Sequence, residues 1–124
     1  FIPNTKNVEL KQSLTYTIPD DFSVKELRGV EITSPEGAIS DLASIPQVAQ
    51  VIFSKIGKHR RAAVIHDELY KTGQYPKETA DLIFLYAMKE DNVNIFKRNT
   101  MYLAVKYGGY FAWRSHRKND ESKP

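Results

Sequence analysis

The sequence predicts an α+β fold, a small antiparallel β-meander at the N-terminus packed on three main α-helices. Apolar and polar residues alternate over residues 8–18, which is the period of a half-buried strand. Beyond residue 58, apolar residues recur every three or four positions, which is typical of amphipathic helices. The chain has 124 residues, 41% of them hydrophobic, which favours a single soluble domain. We assign residues 1–113 to this domain and residues 114–124 to a polar, frayed C-terminal tail.

The first third of the chain predicts three strands. The first runs from Val8 to Ile18 and ends at the turn Pro19-Asp20-Asp21. Phe22-Ser23-Val24 is predicted as a short second strand, and Val30-Glu31-Ile32-Thr33 as the third. Because a few strands alone are marginal in water, we expect one face of the meander to be covered by the helices.

A compact apolar loop is predicted over residues 39–46. Pro46 restrains Ile45 to an extended conformation and can also open a short helix that ends at Gly57.

Three longer helices follow. The central helix is predicted from about Lys58 to Lys71, ending at Thr72-Gly73. The second begins at Pro76 and closes at Asp91-Asn92. The third begins near Ile95 and bends or ends at Gly108-Gly109.

Composition excludes several classes of site. The chain has no cysteine, which removes disulfides, thiolate zinc sites and thiol nucleophiles. A metal site would therefore need histidine and carboxylate ligands. No apolar run reaches the length of a membrane span. The net charge of +3 and the pI of about 9.1 are too mild to indicate nucleic acid by themselves.

His66 is the leading candidate for a functional side chain. In a helix, Ala62, His66 and Tyr70 lie on one stripe, so His66 is predicted to face the core. Asp41 and Asp81 are acids set in apolar runs, and a buried carboxylate needs a partner. We expect Asp41, His66 and Asp81 to converge in a polar pocket.

Asp67 is expected at the edge of this pocket. Adjacent helical residues point about 100° apart, so His66 and Asp67 cannot both face one small ligand. Lys71 or an arginine is expected to pair with Asp67.

Three interpretations of the pocket stay open. In the first, His66 is a structural histidine bonded to Asp41 or Asp81. In the second, it is a general base that activates water or Ser44, although Ser44 lacks the Gly-x-Ser-x-Gly elbow. In the third, His66, Asp41 and Asp81 bind a divalent metal ion.

The surface raises two further questions. Lys58, His59, Arg60 and Arg61 are interpreted as a solvated face, with contact to an anionic polymer as the alternative. The aromatic residues near the C-terminus are expected in the core and at its rim, and an exposed aromatic patch would instead indicate a protein interface; these residues are Tyr102, Tyr107, Tyr110, Phe111 and Trp113.

Three motifs in order resemble the phage and prophage family catalogued as domain of unknown function 1353. The motifs are Ser40-Asp41-Leu42-Ala43-Ser44-Ile45-Pro46, Ala62-Ala63-Val64-Ile65-His66-Asp67-Glu68-Leu69-Tyr70, and Ala80-Asp81-Leu82-Ile83-Phe84 with Ala87-Met88. Ser40 stands where the family usually has threonine, and Pro76-Lys77 where it usually has Ser-Arg. The resemblance implies a phage or prophage origin and supplies no reaction. It directs attention to Asp41, Ser44, His66, Asp67 and Asp81.

Two functions follow as alternatives. One is a phage-encoded hydrolase-like enzyme of unknown substrate, either metal-assisted or using a His-Asp general base. The other is a non-enzymatic phage accessory or virion component that binds another phage or host protein. An open pocket with an accessible His66 would favour the first, and a sealed network with exposed apolar patches the second. The oligomeric state and the choice between host cytoplasm and virion stay open.

Overall fold

The computed structural model of the protein describes residues 8–9, 13–35, 39–40 and 60–121, with side chains described for 13–35 and 61–118. Within these residues the chain forms four short strands and four helices, so the predicted α+β class is confirmed. The strands are β1 (Val8–Glu9), β2 (Leu14–Thr17), β3 (Glu31–Ser34) and β4 (Ile39–Ser40). The helices are α1 (Arg60–Thr72), α2 (Lys77–Glu90), α3 (Ile95–Gly108) and α4 (Tyr110–Glu121).

The strands form two antiparallel pairs. Strand β1 pairs with β4, and β2 pairs with β3 in a register that places Tyr16 opposite Ile32. Both of these side chains are buried, because they share the face of the β2–β3 pair that packs on α1.

The strand predicted at Phe22–Val24 is wrong. These residues bend and lead into a 3₁₀ turn at Lys25–Leu27. The N–H of Phe22 donates to the carbonyl of Pro19 at 3.2 Å, and its carbonyl accepts from Arg28 Nε at 2.7 Å. Its backbone is therefore used by a turn rather than a sheet, while its ring is fully buried.

The three predicted helices are confirmed, with their ends close to the expected positions. Gly73 follows α1 with φ of +62° and Asn92 follows α2 with φ of +61°. Both residues adopt the left-handed conformation that commonly terminates helices. The loop predicted over residues 39–46 begins instead with strand β4 at Ile39–Ser40. The rest of this loop and the short helix predicted to end at Gly57 lie outside the described residues.

Helix α4 replaces most of the predicted tail. The chain passes from α3 into α4 at Gly109, whose N–H donates to the carbonyl of Val105 at 2.9 Å. Trp113 packs edge-on against Tyr70, with ring centroids 5.2 Å apart. Arg117 Nη2 donates to the carbonyls of Tyr70 and Lys71 at 2.7 and 3.0 Å. These contacts hold α4 on the C-terminal end of α1 and explain why residues 114–121 are helical.

Helix α1 lies at the centre of the fold. It packs against α2, the β2–β3 pair and α4, while α3 packs on α2. The core side chains include Tyr16, Ile18, Phe22, Ile32, Ile65, Leu69, Tyr70, Ile83, Phe84, Met88, Met101 and Val105. None of the helices in the described part has the length and apolarity needed to span a bilayer.

Candidate functional site

A buried polar cluster joins the facing sides of α1 and α2. His66 and Tyr70 are one turn apart on α1, and Lys77 and Asp81 are one turn apart on α2. The four-residue spacing places each pair on one side of its helix. We call these four residues the buried network.

Asp81 is the centre of the buried network. Its Oδ1 lies 2.8 Å from His66 Nε2 and accepts a hydrogen bond from Tyr70 Oη at 2.7 Å. Its Oδ2 accepts from Lys77 Nζ at 2.8 Å. The convergence of His66 and Asp81 predicted from the sequence is therefore present.

The electrostatics favour an ionised Asp81. Burial alone would raise its pKa, but hydrogen bonds and charge from His66, together with bonds from Lys77 and Tyr70, lower the pKa below its ordinary value. An ionised carboxylate only accepts hydrogen bonds, so the N–H at His66 Nε2 is the donor in its hydrogen bond with Asp81. Burial and the Asp81 charge raise the pKa of Tyr70, which keeps its hydroxyl a donor.

Lys77 connects the buried network to the last turn of α3. Its Nζ donates to the carbonyls of Val105 and Lys106 at 2.9 and 3.1 Å. The same ammonium lies 4.2 Å from the centre of the Tyr110 ring, within the range of a cation–π contact. Its side chain is only 5% exposed. Each of the three ammonium protons therefore has an oxygen acceptor.

The arrangement limits what His66 can do chemically. Its side chain is 0% exposed, and its ring lies between Tyr70 and Phe84 at centroid distances of 4.3 and 4.6 Å. A general base must reach the proton that it removes, directly or through one water. The Nε2 side of His66 faces Asp81 inside the core, so this nitrogen cannot reach a substrate.

Asp67 lies on another side of α1, in a second polar cluster with Glu68 and Lys71. Its carboxylate is 3.2 Å from Lys71 Nζ, so the predicted pairing with Lys71 is present. The expected position at an edge is wrong, because Asp67 is buried. Its neighbour Glu68 lies 3.5 Å from the hydroxyl of buried Ser34, and burial raises the pKa of Glu68.

Two of the sequence-predicted site residues, Asp41 and Ser44, lie outside the described residues. Strand β4 ends at residue 40, and its backbone lies beside α1. Across the described side chains, no three His, Asp or Glu residues come together as a metal site would require. The predicted metal set of His66, Asp41 and Asp81 includes Asp41 and stays a prediction.

Sequence reasoning missed Lys77 and Tyr70 as members of the buried network. The signal was present, since Lys77 precedes Asp81 by four residues and Tyr70 follows His66 by four. Arg61 was also misjudged as solvated. It is half-buried and makes a bidentate contact with Asp91, Nη2 to Oδ1 at 2.8 Å and Nε to Oδ2 at 3.0 Å.

A second candidate site is on the surface. Along α3, Phe96, Leu103 and Tyr107 are 79%, 49% and 71% exposed, and their spacing of seven and four residues places them on one stripe. Along α4, exposed Phe111, Arg114 and Lys118 form another stripe beside a groove of about 550 Å³. We call the two stripes the outer face, which comprises Phe96, Leu103, Tyr107, Phe111, Arg114 and Lys118.

The outer face corrects the expectation for the C-terminal aromatic residues. Tyr107, Tyr110 and Phe111 are exposed, whereas Tyr102 and Trp113 are half-buried at the rim. Monomeric proteins rarely expose many large apolar side chains together without a binding role.

Comparison with known proteins gives a family but no activity. The profile of the family described as "Protein of unknown function (DUF1353)" matches residues 16–105. The uncharacterised protein y4jT of Sinorhizobium fredii (strain NBRC 101917 / NGR234) is 32% identical over 92 residues, which cover 73% of this chain and 27% of that protein. The chain thus spans about a quarter of the length of this relative. No solved structure matches the chain.

Proposed function

This chain belongs to the DUF1353 family, and we propose that it is a non-enzymatic protein-interaction domain. In this proposal the buried network is a structural element that holds α1, α2 and α3 together. The outer face is the surface that binds another polypeptide.

The observation that carries the proposal is the contrast in accessibility. His66, the strongest catalytic candidate in the sequence, is sealed in the core and donates to Asp81. Phe96 and Phe111 are 79% and 80% exposed on the surface. Exposed apolar patches with aromatic residues and arginine are typical of protein interfaces. In the phage or prophage setting that the sequence resemblance implies, such a domain would be an accessory or virion component.

A hydrolase-like enzyme is the second candidate. One observation favours it: the carboxylate of Asp67 is buried on α1, and β4, which directly precedes Asp41 in the sequence, lies beside the same helix. In that candidate Asp67 belongs to the reactive site, and His66 supports it from the core.

His66→Ala tests the proposal. The change leaves a cavity and removes a donor from Asp81, so we expect the free energy of unfolding to fall by about 2–4 kcal/mol, measured by urea denaturation. The matched control is His116→Ala, since His116 is half-buried on α4 and we expect a change within about 0.5 kcal/mol. Elemental analysis and hydrolysis of p-nitrophenyl esters and phosphates accompany both variants.

The outcomes separate the two candidates. A folded, less stable His66→Ala with no metal or activity to lose supports the structural role. A variant that keeps its stability but loses a bound metal or a measurable hydrolysis rate would support the enzyme and overturn the proposal. Asp67→Asn then serves as the direct test of the enzyme, because it removes the buried carboxylate and keeps its shape.

A further inference from the structure

We infer that the outer face binds an acidic amphipathic helix of a partner polypeptide. This inference rests on the proposed interaction function and names the chemistry of the partner.

Charge along the chain is strongly segregated. Residues 95–118 contain six lysines and arginines and no Asp or Glu. The whole chain has a net charge of +3, so all other residues together have a net charge of −3. Helix α4 also includes Asp120 and Glu121, so α3 and α4 together have a net charge of +4 and the rest of the chain has −1. The excess of positive charge in the protein is therefore concentrated on these two helices.

Several cations of α3 and α4 form no ion pair with the residues that the structure describes. On α1 and α2, Arg61 pairs with Asp91 and Lys77 with Asp81. By contrast, Lys97, Arg114 and Lys118 are exposed and form no ion pair with any residue that the structure describes. Positive charge that is not compensated inside a protein favours association with an anionic partner.

The apolar part of the outer face has the spacing of a helix-packing surface. Phe96, Leu103 and Tyr107 are separated by seven and four residues, which is two turns and one turn of a helix. Their side chains therefore form a single row along α3. The row lies opposite Met101 and Val105, which face the core. A second helix that lies along such a row can place its own apolar side chains between these residues. Its acids can then approach Lys97 and Lys106, which are exposed and adjacent to Phe96 and Tyr107 on α3.

Two other occupants fit less well. A second copy of this chain would bring Arg114 and Lys118 of two outer faces together, which electrostatic repulsion opposes. An anionic membrane favours a broad apolar face on the bound helix, whereas here Thr100 and Ser115 are exposed among the apolar residues of α3 and α4. Charge and spacing together therefore favour an acidic helix.

Selection from a displayed library of random 20-residue peptides tests the inference, with the full chain as bait. We expect the selected peptides to be rich in Asp and Glu and to carry apolar residues at three- and four-residue spacing. Their affinity, measured by fluorescence anisotropy, should fall as salt is raised, because exposed charge pairs are screened.

Matched variants place the binding on the outer face. Arg114→Glu with Lys118→Glu should weaken a selected peptide by at least about tenfold, since it replaces attraction by repulsion. The control Lys25→Glu with Lys89→Glu changes the net charge equally at exposed positions elsewhere and should change the affinity less than about twofold. Likewise, Phe96→Ser should weaken binding, whereas Ile95→Ser, at an exposed apolar residue off the stripe, should not.

Each other outcome overturns a defined part of the argument. Selected peptides without acidic enrichment that still depend on Phe96 would overturn the acidic partner and leave the interaction function standing. If no peptides are enriched relative to selection on an unrelated bait protein, both the acidic partner and the interaction function are overturned. Binding through Arg114 and Lys118 only to vesicles with 30% phosphatidylserine, or only to a single-stranded oligonucleotide, would replace the polypeptide by a lipid surface or a nucleic acid.

Discussion

The buried network and the outer face use the same kinds of residue in opposite ways. In the buried network, Lys77 is nearly inaccessible, and its charge is matched by Asp81 and two carbonyl oxygens. On the outer face, Arg114 and Lys118 are exposed and form no ion pair within the described residues. Aromatic rings accompany the cations in both places, with Tyr110 under Lys77 and Phe111 beside Arg114.

The two regions therefore separate residues that stabilise the fold from residues that are available for binding. A buried charge destabilises the fold unless every donor and acceptor is satisfied. Substitutions in the buried network should therefore lower the free energy of unfolding. Exposed charges contribute little to stability. Substitutions on the outer face should therefore lower the affinity for a partner polypeptide and leave the free energy of unfolding nearly unchanged. Four predictions test this separation.

Replacement of Asp81 should have the largest effect. Asp81→Ala leaves Lys77, His66 and the hydroxyl of Tyr70 buried without their common acceptor. We expect the free energy of unfolding to fall by about 3–5 kcal/mol, measured by urea denaturation. Glu78→Gln, which removes an exposed acid from the same helix, should cost less than about 1 kcal/mol. If both changes cost the same, the buried network does not stabilise the fold.

Gly109→Ala tests the contact between the buried network and the α3–α4 junction. A Cβ at this position would lie 2.5 Å from the carbonyl oxygen of Val105 and 2.7 Å from Tyr70 Oη. Both atoms belong to the hydrogen-bonded system, so we expect a loss of about 1–3 kcal/mol. Gly108→Ala, at an exposed position, should be neutral or stabilising by up to about 1 kcal/mol. Equal stability of the two variants would contradict the close approach at Gly109.

Low pH should weaken the buried network. Because the pKa of Asp81 is below its ordinary value of 3.8, folding favours its ionised form. This stabilisation is complete above pH 3.8 and is lost as the pH falls toward the folded-state pKa. Asn resembles a protonated Asp, so the stability gap between wild type and Asp81→Asn should narrow from about pH 6 to about pH 3. A constant gap would show that Asp81 is not ionised in the folded protein.

Glu68 is the internal control for this pH experiment, because its pKa is raised whereas the pKa of Asp81 is lowered. Burial raises its pKa above the ordinary 4.5, so folding disfavours its charged form. Its contribution makes the protein less stable as the pH rises through the interval just above 4.5, and Glu68→Gln should remove that contribution.

Changes on the outer face should have the smallest effect on stability. Phe96→Ser and Leu103→Ser remove side chains that are 79% and 49% exposed, so each should change the free energy of unfolding by no more than about 0.5 kcal/mol. Circular dichroism during thermal unfolding would measure this. A loss above about 2 kcal/mol would show that the side chain is part of the fold rather than a binding surface.

The sequence predicted the parts of this molecule that local rules determine. Helical periodicity placed His66 in the core, and the apolar setting of Asp81 indicated a buried partner. Gly73 marked the end of α1 because glycine readily adopts a positive φ. The fold class and the contact between these two residues followed from that reasoning.

Features that depend on tertiary contacts were missed. Lys77 is in the first turn of a helix, where a lysine is normally solvated, and its burial depends on carbonyls of α3 and on Tyr110 of α4. Asp67 was placed at an edge because it follows His66 directly on the helix and points about 100° away from it. Helix α1 is instead covered by α2, by the β2–β3 pair and by α4. Residues 114–121 lack apolar periodicity, and Arg117 and Trp113 hold that helix in place.

The position of Lys77 Nζ has a consequence for how the domain opens. One ammonium is shared by an acid of α2 and two carbonyls in the last turn of α3, so separating these helices would remove two of its three hydrogen-bond acceptors. Partial unfolding in which α3 detaches alone is thereby made costly. Amide hydrogens near Val105 should consequently exchange with solvent at the slow rate of those in α2, as a single cooperative unit.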